Sequence, residues 1–201
     1  VHRFYPRAGR YVLVGLERGG RVPALDSLSD GHLRSLFRLF VKSARIFSQL
    51  GFFITKNMKA HFGPNQETVL VEGVTGLLLM FAERDGYEVL SVSPLTIDPG
   101  GKGLIVHPGD HSQRKTWNSV RLNLRRRSDQ VPVTIDYVRL NLSNASLDKN
   151  PHERAWLEDV AQSRVIIKAA SHLLQSGSFR TIKTILLQRA TTILQDETAI
   201  R

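Results

Sequence analysis

The sequence predicts an α/β fold, with α+β as the alternative, in which helices flank a mixed sheet. Strand-like and helix-like segments alternate in the first half, an antiparallel hairpin pattern follows, and the last fifty residues return to helical spacing. With 201 residues and 41% hydrophobic residues, the chain can bury a core. We expect residues 1–150 to form an α/β domain and residues 151–201 to form a helical pair packed on it.

The first half of the chain alternates between the two kinds of segment. Residues 11–16, within YVLVGLERGG, form an apolar run that predicts a strand. Apolar side chains at helical spacing predict a helix over residues 33–47, and FFIT at residues 52–55 predicts a buried strand. A second helix is expected over residues 64–84, since a proline opens it and Gly86 follows it.

The middle of the chain alternates with a period of two residues. YEVLSVSPLTI and KGLIVH predict strands joined by the DPGG turn, whose glycines allow positive φ. SVRLNLRRRSDQVPVTIDYVRLNLS predicts a second hairpin, which is antiparallel. Its apolar alternation changes phase near Tyr137, and this change predicts a β-bulge there.

The C-terminal segment carries helix start signals. Asn150, Pro151 and Glu153 have the order of a cap, a first-turn proline and a capping-box carboxylate, which predicts a helix over residues 151–175. A final helix is expected over residues 178–195. A basic stripe at helical spacing is formed by Arg164, Lys168 and His172, and is continued by Arg180 and Lys183.

Several classes of site are excluded or disfavoured by the composition. The absence of cysteine excludes a disulfide scaffold, a thiolate zinc site and a cysteine nucleophile. No segment has the pattern of a signal peptide or a membrane-spanning helix, which favours an intracellular location. The glycosylation patterns at Asn141 and Asn144 are therefore interpreted as a polar turn. HPGDH, with His107, Asp110 and His111, is interpreted as a polar loop, and no metal is expected.

The chain is strongly basic. Twenty-eight lysines and arginines against eighteen acidic residues give a formal net charge of +10. Such a surface attracts polyanions, of which nucleic acid is the commonest. RNA is therefore the expected partner, and an anionic membrane surface or an acidic protein is the alternative.

Two clusters of basic residues predict contact with nucleic acid. One is a helical stripe that begins at Arg34, and the other contains no carboxylate between His111 and Ser128, so that its charge is locally uncompensated. Trp117 lies in the second cluster, where it could stack on an unpaired base. The predicted nucleic-acid-binding residues are Arg34, Arg38, Lys42, Arg114, Lys115, Trp117, Arg121, Arg125, Arg126 and Arg127.

The glycines of YVLVGLERGG raise the question of a phosphate or cofactor cradle. Such a cradle needs glycines followed at once by a helix N-terminus, whose amides bind the ligand. Here Arg21, Val22 and Pro23 follow Gly20, and the predicted helix begins several residues later. The segment is therefore interpreted as a strand and a loop, and no cofactor is expected.

Residues 29–107 have the element order of helix, strand ending in lysine, helix and strand hairpin. This order resembles the C-terminal half of the Rossmann-like methyltransferases. It is most similar to the ribose 2′-O RNA methyltransferases, including those of negative-strand RNA virus polymerases. The resemblance implies that Lys56 or Lys59 is a catalytic lysine of the family's Lys-Asp-Lys-Glu set, and that S-adenosylmethionine is the methyl donor. The family's final glutamate would fall near DPGGKG, where this chain has Lys102.

The sequence as a whole favours a non-catalytic, basic RNA-binding domain with protein partners in a larger ribonucleoprotein or polymerase assembly. The expected mechanism is phosphate clamping with little sequence specificity. One alternative is part of an S-adenosylmethionine-dependent RNA methyltransferase. The other is a viral matrix or ribosomal structural protein, whose basic faces would contact a membrane or a protein.

Overall fold

The structure is a computed structural model. In it, the chain divides into two compact units. The first unit is Val1–Leu95 with Val106–Arg139, and the second is Thr96–Ile105 with Leu140–Arg201. The second unit thus contains the DPGG turn together with residues 140–201, and the expected domain boundary at residue 151 stays a prediction. The described residues are 9–16, 18–20, 29–31, 34–35, 38, 41, 73–107, 117–162, 166–168, 176–190 and 193–195.

Five strands form a mixed sheet in the order β1-β5-β4-β2-β3. Strand β1 is parallel to β5, whereas the β5–β4 and β4–β2 pairs are antiparallel. The sheet and its helices confirm the predicted α/β class, and β4 and β5 form the predicted hairpin. The elements are β1 (Arg10–Gly15), α1 (Val74–Arg84), β2 (Tyr87–Ile97), β3 (Leu104–Val106), β4 (Ser119–Arg126) and β5 (Pro132–Arg139).

The core of the first unit lies on one face of this sheet. Val120, Leu122 and Leu124 alternate along β4 and are almost completely buried. They belong to one apolar cluster with Val74 of α1 and Tyr137 of β5. Burying an aliphatic side chain of this size contributes roughly 1.5–3 kcal/mol. Because side chains alternate between faces, this arrangement leaves the first two arginines of β4 on the opposite face.

The β-bulge predicted near Tyr137 is wrong. The β4–β5 register runs without a shift from the Val120–Tyr137 pair to the Arg125–Pro132 pair. Strand β5 instead buries three consecutive residues, 136–138, so both of its faces are buried there. That burial explains the change in apolar phase without an inserted residue. A register shift occurs in β2 instead, between Val89 and Ser91.

The described residues of the second unit form three helices and a small parallel sheet. The helices α2 (Asn144–Lys149), α3 (Pro151–Val160) and α4 (Arg180–Arg189) contact one another, and a short 3₁₀ turn, Gly177–Phe179, precedes α4. Strands β6 (Ile166–Lys168) and β7 (Ile193–Gln195) pair in parallel. Each helix in the described residues is too short or too polar to cross a lipid bilayer. The fully or largely buried apolar residues include Leu147, Trp156, Leu157, Ile182 and Ile185.

Both C-terminal helices are shorter than predicted. The helix that starts at Pro151 ends at Val160, and residues 166–168 are extended. The final helix ends at Arg189, and residues 193–195 pair with β6. Isoleucines in both segments favour an extended backbone, and strand pairing decides the outcome. The stripe predicted from Arg164 is therefore wrong in its spacing, since Lys168 lies in a strand; Arg164 and His172 lie outside the described residues.

The side chain of Asn144 joins α2 to the start of α4. Its Oδ1 accepts a hydrogen bond from the amide of Thr181 at 3.0 Å, and its Nδ2 donates to the carbonyl of Gly177 at 2.9 Å. Ser143 is the N-cap of α2. The Asn144 pattern thus begins a helix and does not form the predicted polar turn. Asn150 precedes α3 as predicted, but its amide donates to the carbonyl of Ser146 and does not cap the helix.

The DPGG turn is held against α3 by Gly101. Its φ is +69°, a value that side-chain-bearing residues rarely adopt. A Cβ at this position would lie 2.5 Å from the carbonyl oxygen of His152 and 2.7 Å from the Cβ of Ala155. In the same turn the amide of Lys102 donates to Asp98, and this hydrogen bond lowers the pKa of the Asp98 carboxyl. Glycine is therefore required at 101 by conformation and by packing.

We expect Gly101→Ala to lower the free energy of unfolding by roughly 1–3 kcal/mol, because it adds both backbone strain and a steric clash. Gly103→Ala is the matched control, since a Cβ at Gly103 would meet no atom within 4 Å. Chemical denaturation of both variants and the parent protein measures the difference. Equal stability of the two variants would contradict this account of the turn.

Candidate nucleic-acid interface

Part of the face of the sheet opposite the core is polar, and the rest of that face carries Val12, Val14 and Val138. Strand alternation places Arg121, Asn123 and Arg125 there, and cross-strand pairing places β2 and β5 residues beside them. Arg10 joins them from β1. We call this surface the polar face, and define it by Arg10, Glu88, Ser91, Arg121, Asn123, Arg125, Thr134 and Asp136.

A buried carboxylate binds two arginines on the polar face. Asp136 is 0% exposed and accepts hydrogen bonds from Nε and Nη2 of Arg121, the latter at 2.8 Å. Nε and Nη2 of Arg10 lie 2.8 and 2.7 Å from the same carboxylate. The hydrogen bond to Asp136 raises the pKa of Arg121. These three residues, Arg10, Asp136 and Arg121, are called the triad below.

The triad orients two guanidinium groups that still reach solvent. The side chain of Arg10 is 52% exposed and that of Arg121 is 23% exposed. A guanidinium has five N–H donors in a fixed plane, and the contacts to Asp136 use Nε and Nη2 of each arginine. With two arginines and one carboxylate, the triad has a formal charge of +1. It can therefore offer oriented donors to an anion.

Arg125 lies further along the polar face and is paired with Glu88. Its Nη2 and Nε lie 2.6 and 2.9 Å from Oε2 of Glu88, and both side chains are about two-fifths exposed. Beside them, the amide of Asn123 donates to the hydroxyl of Ser91 at 2.8 Å. This part of the face is an exposed ion pair with neutral polar neighbours.

Arg126 and Arg127 lie at the β4–β5 turn and also have carboxylate partners. Arg127 donates to both oxygens of Glu83, at 2.9 and 2.6 Å. Arg126 donates to Asp129 at 2.9 Å and lies over the ring of Tyr87, 6.0 Å from its centroid. A hydrogen bond with Tyr87 raises the pKa of Arg126, whose side chain is only 15% exposed. Arg126 is therefore mainly a packing residue.

The expectation that this arginine cluster is uncompensated is wrong. Each of its four described arginines contacts a carboxylate, and three of the four carboxylates come from distant segments or from the neighbouring strand. Strand pairing and the packing of α1 bring them together, which no local charge count can detect. The four partners are Glu83, Glu88, Asp129 and Asp136.

Trp117 cannot stack on a base in this structure. Its side chain is 1% exposed and belongs to the same apolar cluster as Val120 and Leu122. Its carbonyl also accepts a hydrogen bond from the amide of Gly20. The residue is placed in the core, where a large aromatic side chain has most area to bury.

Of the remaining predicted residues, the structure describes two arginines, and the others lie outside the described residues. Arg34 and Arg38 lie four residues apart on helical backbone and are exposed, as a solvent-facing stripe requires. The described residues contain no group of three side chains that could hold a metal. The residues Lys42, Lys56, Lys59, Asp110, His111, Arg114 and Lys115 lie outside the described residues.

In the loop after β1, the glycine amides that could have held a phosphate or cofactor donate to backbone carbonyls instead. The amides of Gly19 and Gly20 donate to the carbonyls of Asn118 and Trp117, at 2.7 and 2.9 Å. The carbonyl of Gly19 accepts from the amide and the hydroxyl of Thr75, at the first turn of α1. These amides and this helix N-terminus therefore bond to protein groups, and the interpretation as a strand and loop is confirmed.

No family model matches the chain, and no curated protein or solved structure matches it. The resemblance to RNA methyltransferases stays a prediction. Function must therefore be inferred from the charged groups and their geometry.

Of the triad, the sequence predicted Arg121 as a binding residue but did not predict Asp136 or Arg10. Asp136 faces Arg121 across the β4–β5 hairpin, so the hairpin register could have indicated this pair. Arg10 reaches Asp136 through the parallel β1–β5 pair, over a separation of 126 residues. No local pattern encodes that contact.

We expect Asp136→Asn to lower the free energy of unfolding by roughly 1–3 kcal/mol, because it removes the charged acceptor of two arginines at a fully buried position. Glu83→Gln is the control, since the Glu83–Arg127 pair is more than half exposed and is expected to contribute less than about 1 kcal/mol. Urea denaturation measures both variants. A larger loss of stability for Glu83→Gln would contradict the structural role of the triad.

Proposed function

We propose that the protein is a basic RNA-binding domain of a larger ribonucleoprotein or polymerase assembly, which holds RNA phosphates with little sequence specificity. The observation that carries this proposal is the triad, in which buried Asp136 orients Arg10 and Arg121 on one face of the sheet. The net charge of +10 adds a long-range attraction for a polyanion.

Orientation by a carboxylate favours phosphate binding in two ways. The planar fork of arginine matches phosphate oxygens, and a guanidinium that is already held loses less conformational freedom when it binds. One of the two positive charges of the triad is not neutralised, because a single carboxylate pairs with two arginines. Phosphate binding therefore does not require the buried carboxylate to be displaced.

Arg125 extends this surface along β4. Its partner Glu88 is 43% exposed, and exposed ion pairs contribute little to stability. An RNA phosphate can therefore exchange for Glu88 at low cost. Arg121 and Arg125 thus remain the phosphate-binding residues of the predicted cluster, with Arg10 added, whereas Arg126 and Trp117 have packing roles.

The polar face supports binding without base recognition. The residues that define it include no aromatic side chain on which a base would stack. Phosphate contacts fix position on a nucleic acid but carry no sequence information. Membership of a larger assembly rests on the resemblance of residues 29–107 to polymerase methyltransferase domains.

The test is a salt titration of binding to single-stranded RNA of mixed sequence. We expect the Arg10→Gln/Arg125→Gln variant to bind about tenfold more weakly at moderate salt, and to show a salt slope that is shallower by about 0.7 for each RNA phosphate that the variant no longer neutralises. The matched control is Lys102→Gln/Lys149→Gln, which removes the same charge at exposed positions of the second unit. Fluorescence anisotropy measures the affinities.

Two outcomes would overturn the proposal. If both double variants weaken binding equally, only the net charge matters and the polar face is not the site. If the parent protein binds anionic lipid vesicles in flotation but does not bind RNA, the basic surface serves a membrane. Thermal unfolding of each variant checks that the fold is retained.

A further inference from the structure

The second unit contains a basic cleft between α3 and α4. Its volume is about 240 Å³. The lining side chains that matter here are Arg154, Glu158, Arg180, Thr184, Gln188 and Arg189. We infer that this cleft binds a phosphomonoester group, such as a terminal phosphate. The cleft shares no residue with the polar face, so this binding site does not depend on the proposed function.

The charges of the cleft favour a dianion. Three arginines and one glutamate line it, which gives a formal charge of +2. Glu158 lies between two of the arginines, with Oε1 3.1 Å from Nε of Arg154 and Oε2 4.0 Å from Nη2 of Arg189. One carboxylate thus draws two guanidinium groups to the same place without cancelling both charges.

Arg180 supplies the third positive charge. It is exposed, and within the described part of the chain it contacts no carboxylate. The amide of the next residue, Thr181, already donates to Asn144, so the anion would be held by side chains and not by the helix N-terminus. An arginine without an acidic partner at a concave surface is suited to a ligand phosphate.

Neutral donors complete the lining. Arg180, Thr184 and Gln188 are spaced at i, i+4 and i+8 on α4, so they share one side of the helix. The hydroxyl of Thr184 and the amide of Gln188 can each donate to a phosphate oxygen. Ile185, which is buried, adds an apolar wall. The cleft therefore combines charge with hydrogen-bond donors at several positions.

The size of the cleft limits the ligand. Sites for drug-sized molecules have volumes of roughly 300–1,000 Å³. At about 240 Å³, this cleft fits an anionic group, and a larger molecule would extend beyond it. A phosphomonoester can carry two negative charges, which matches +2, whereas an internal RNA phosphodiester carries one.

Calorimetric titration with inorganic phosphate tests the cleft directly. Titration with chloride at the same ionic strength gives the non-specific background. We expect Arg180→Gln and Arg189→Gln each to weaken phosphate binding at least tenfold. Lys183→Gln is the matched control, because it removes the same charge from an exposed position on α4 outside the cleft lining. We expect Lys183→Gln to change the affinity less than threefold.

A second titration identifies the source of the phosphate. Short RNAs with a 5′-phosphate or a 5′-hydroxyl are compared in the Arg10→Gln/Arg125→Gln background, which weakens the polar face. A preference for the 5′-phosphate that Arg180→Gln abolishes would support the inference. Measurable but equal binding of the two RNAs would overturn it. So would no heat with phosphate above the chloride background, or a loss of phosphate affinity in Lys183→Gln as large as in Arg180→Gln. Failure of RNA binding with retained phosphate binding would affect only the proposed function.

Discussion

The buried carboxylate of Asp136 is the constraint on which the first unit depends. A charged group at 0% exposure is costly unless it is fully paired, and two arginines supply that pairing. The arginines come from β1 and β4, whereas Asp136 lies on β5 between them. The interaction therefore fixes three adjacent strands in register and requires all three to be present.

The two faces of the sheet follow from this constraint. A shift of β5 by one residue against β4 would move Asp136 to the apolar core and would move Val133 and Tyr137 out of the core to the polar face. Both costs oppose the same error, so charge pairing and apolar burial specify a single register.

A shared arrangement occurs in both units, in which one carboxylate lies between two arginines. In the first unit the carboxylate is fully buried, and its hydrogen bonds to both arginines are short. In the second unit Glu158 is one-third exposed, and its contact with Arg189 is 4.0 Å long. The first arrangement holds its two guanidinium groups firmly, whereas the longer contact in the second restricts Arg189 less. In the described residues, much of the positive charge is thus carried by arginines that have a carboxylate partner.

The sequence alone determined the local features of this protein. The β4–β5 hairpin, the strand of residues 87–97, the start of α3 at Pro151 and the left-handed glycine after α1 all follow from periodicity and backbone preference, which act over a few residues. Tertiary structure decided the rest. Residues 166–168 and 193–195 pair as strands although their sequence has helical spacing. Burial of both faces of β5 produces the same change in apolar phase that a bulge would produce. Tertiary structure also joined Arg10 to Asp136 and placed Trp117 in the core. These outcomes depend on which distant segments meet, and a local pattern of residue types does not contain that information.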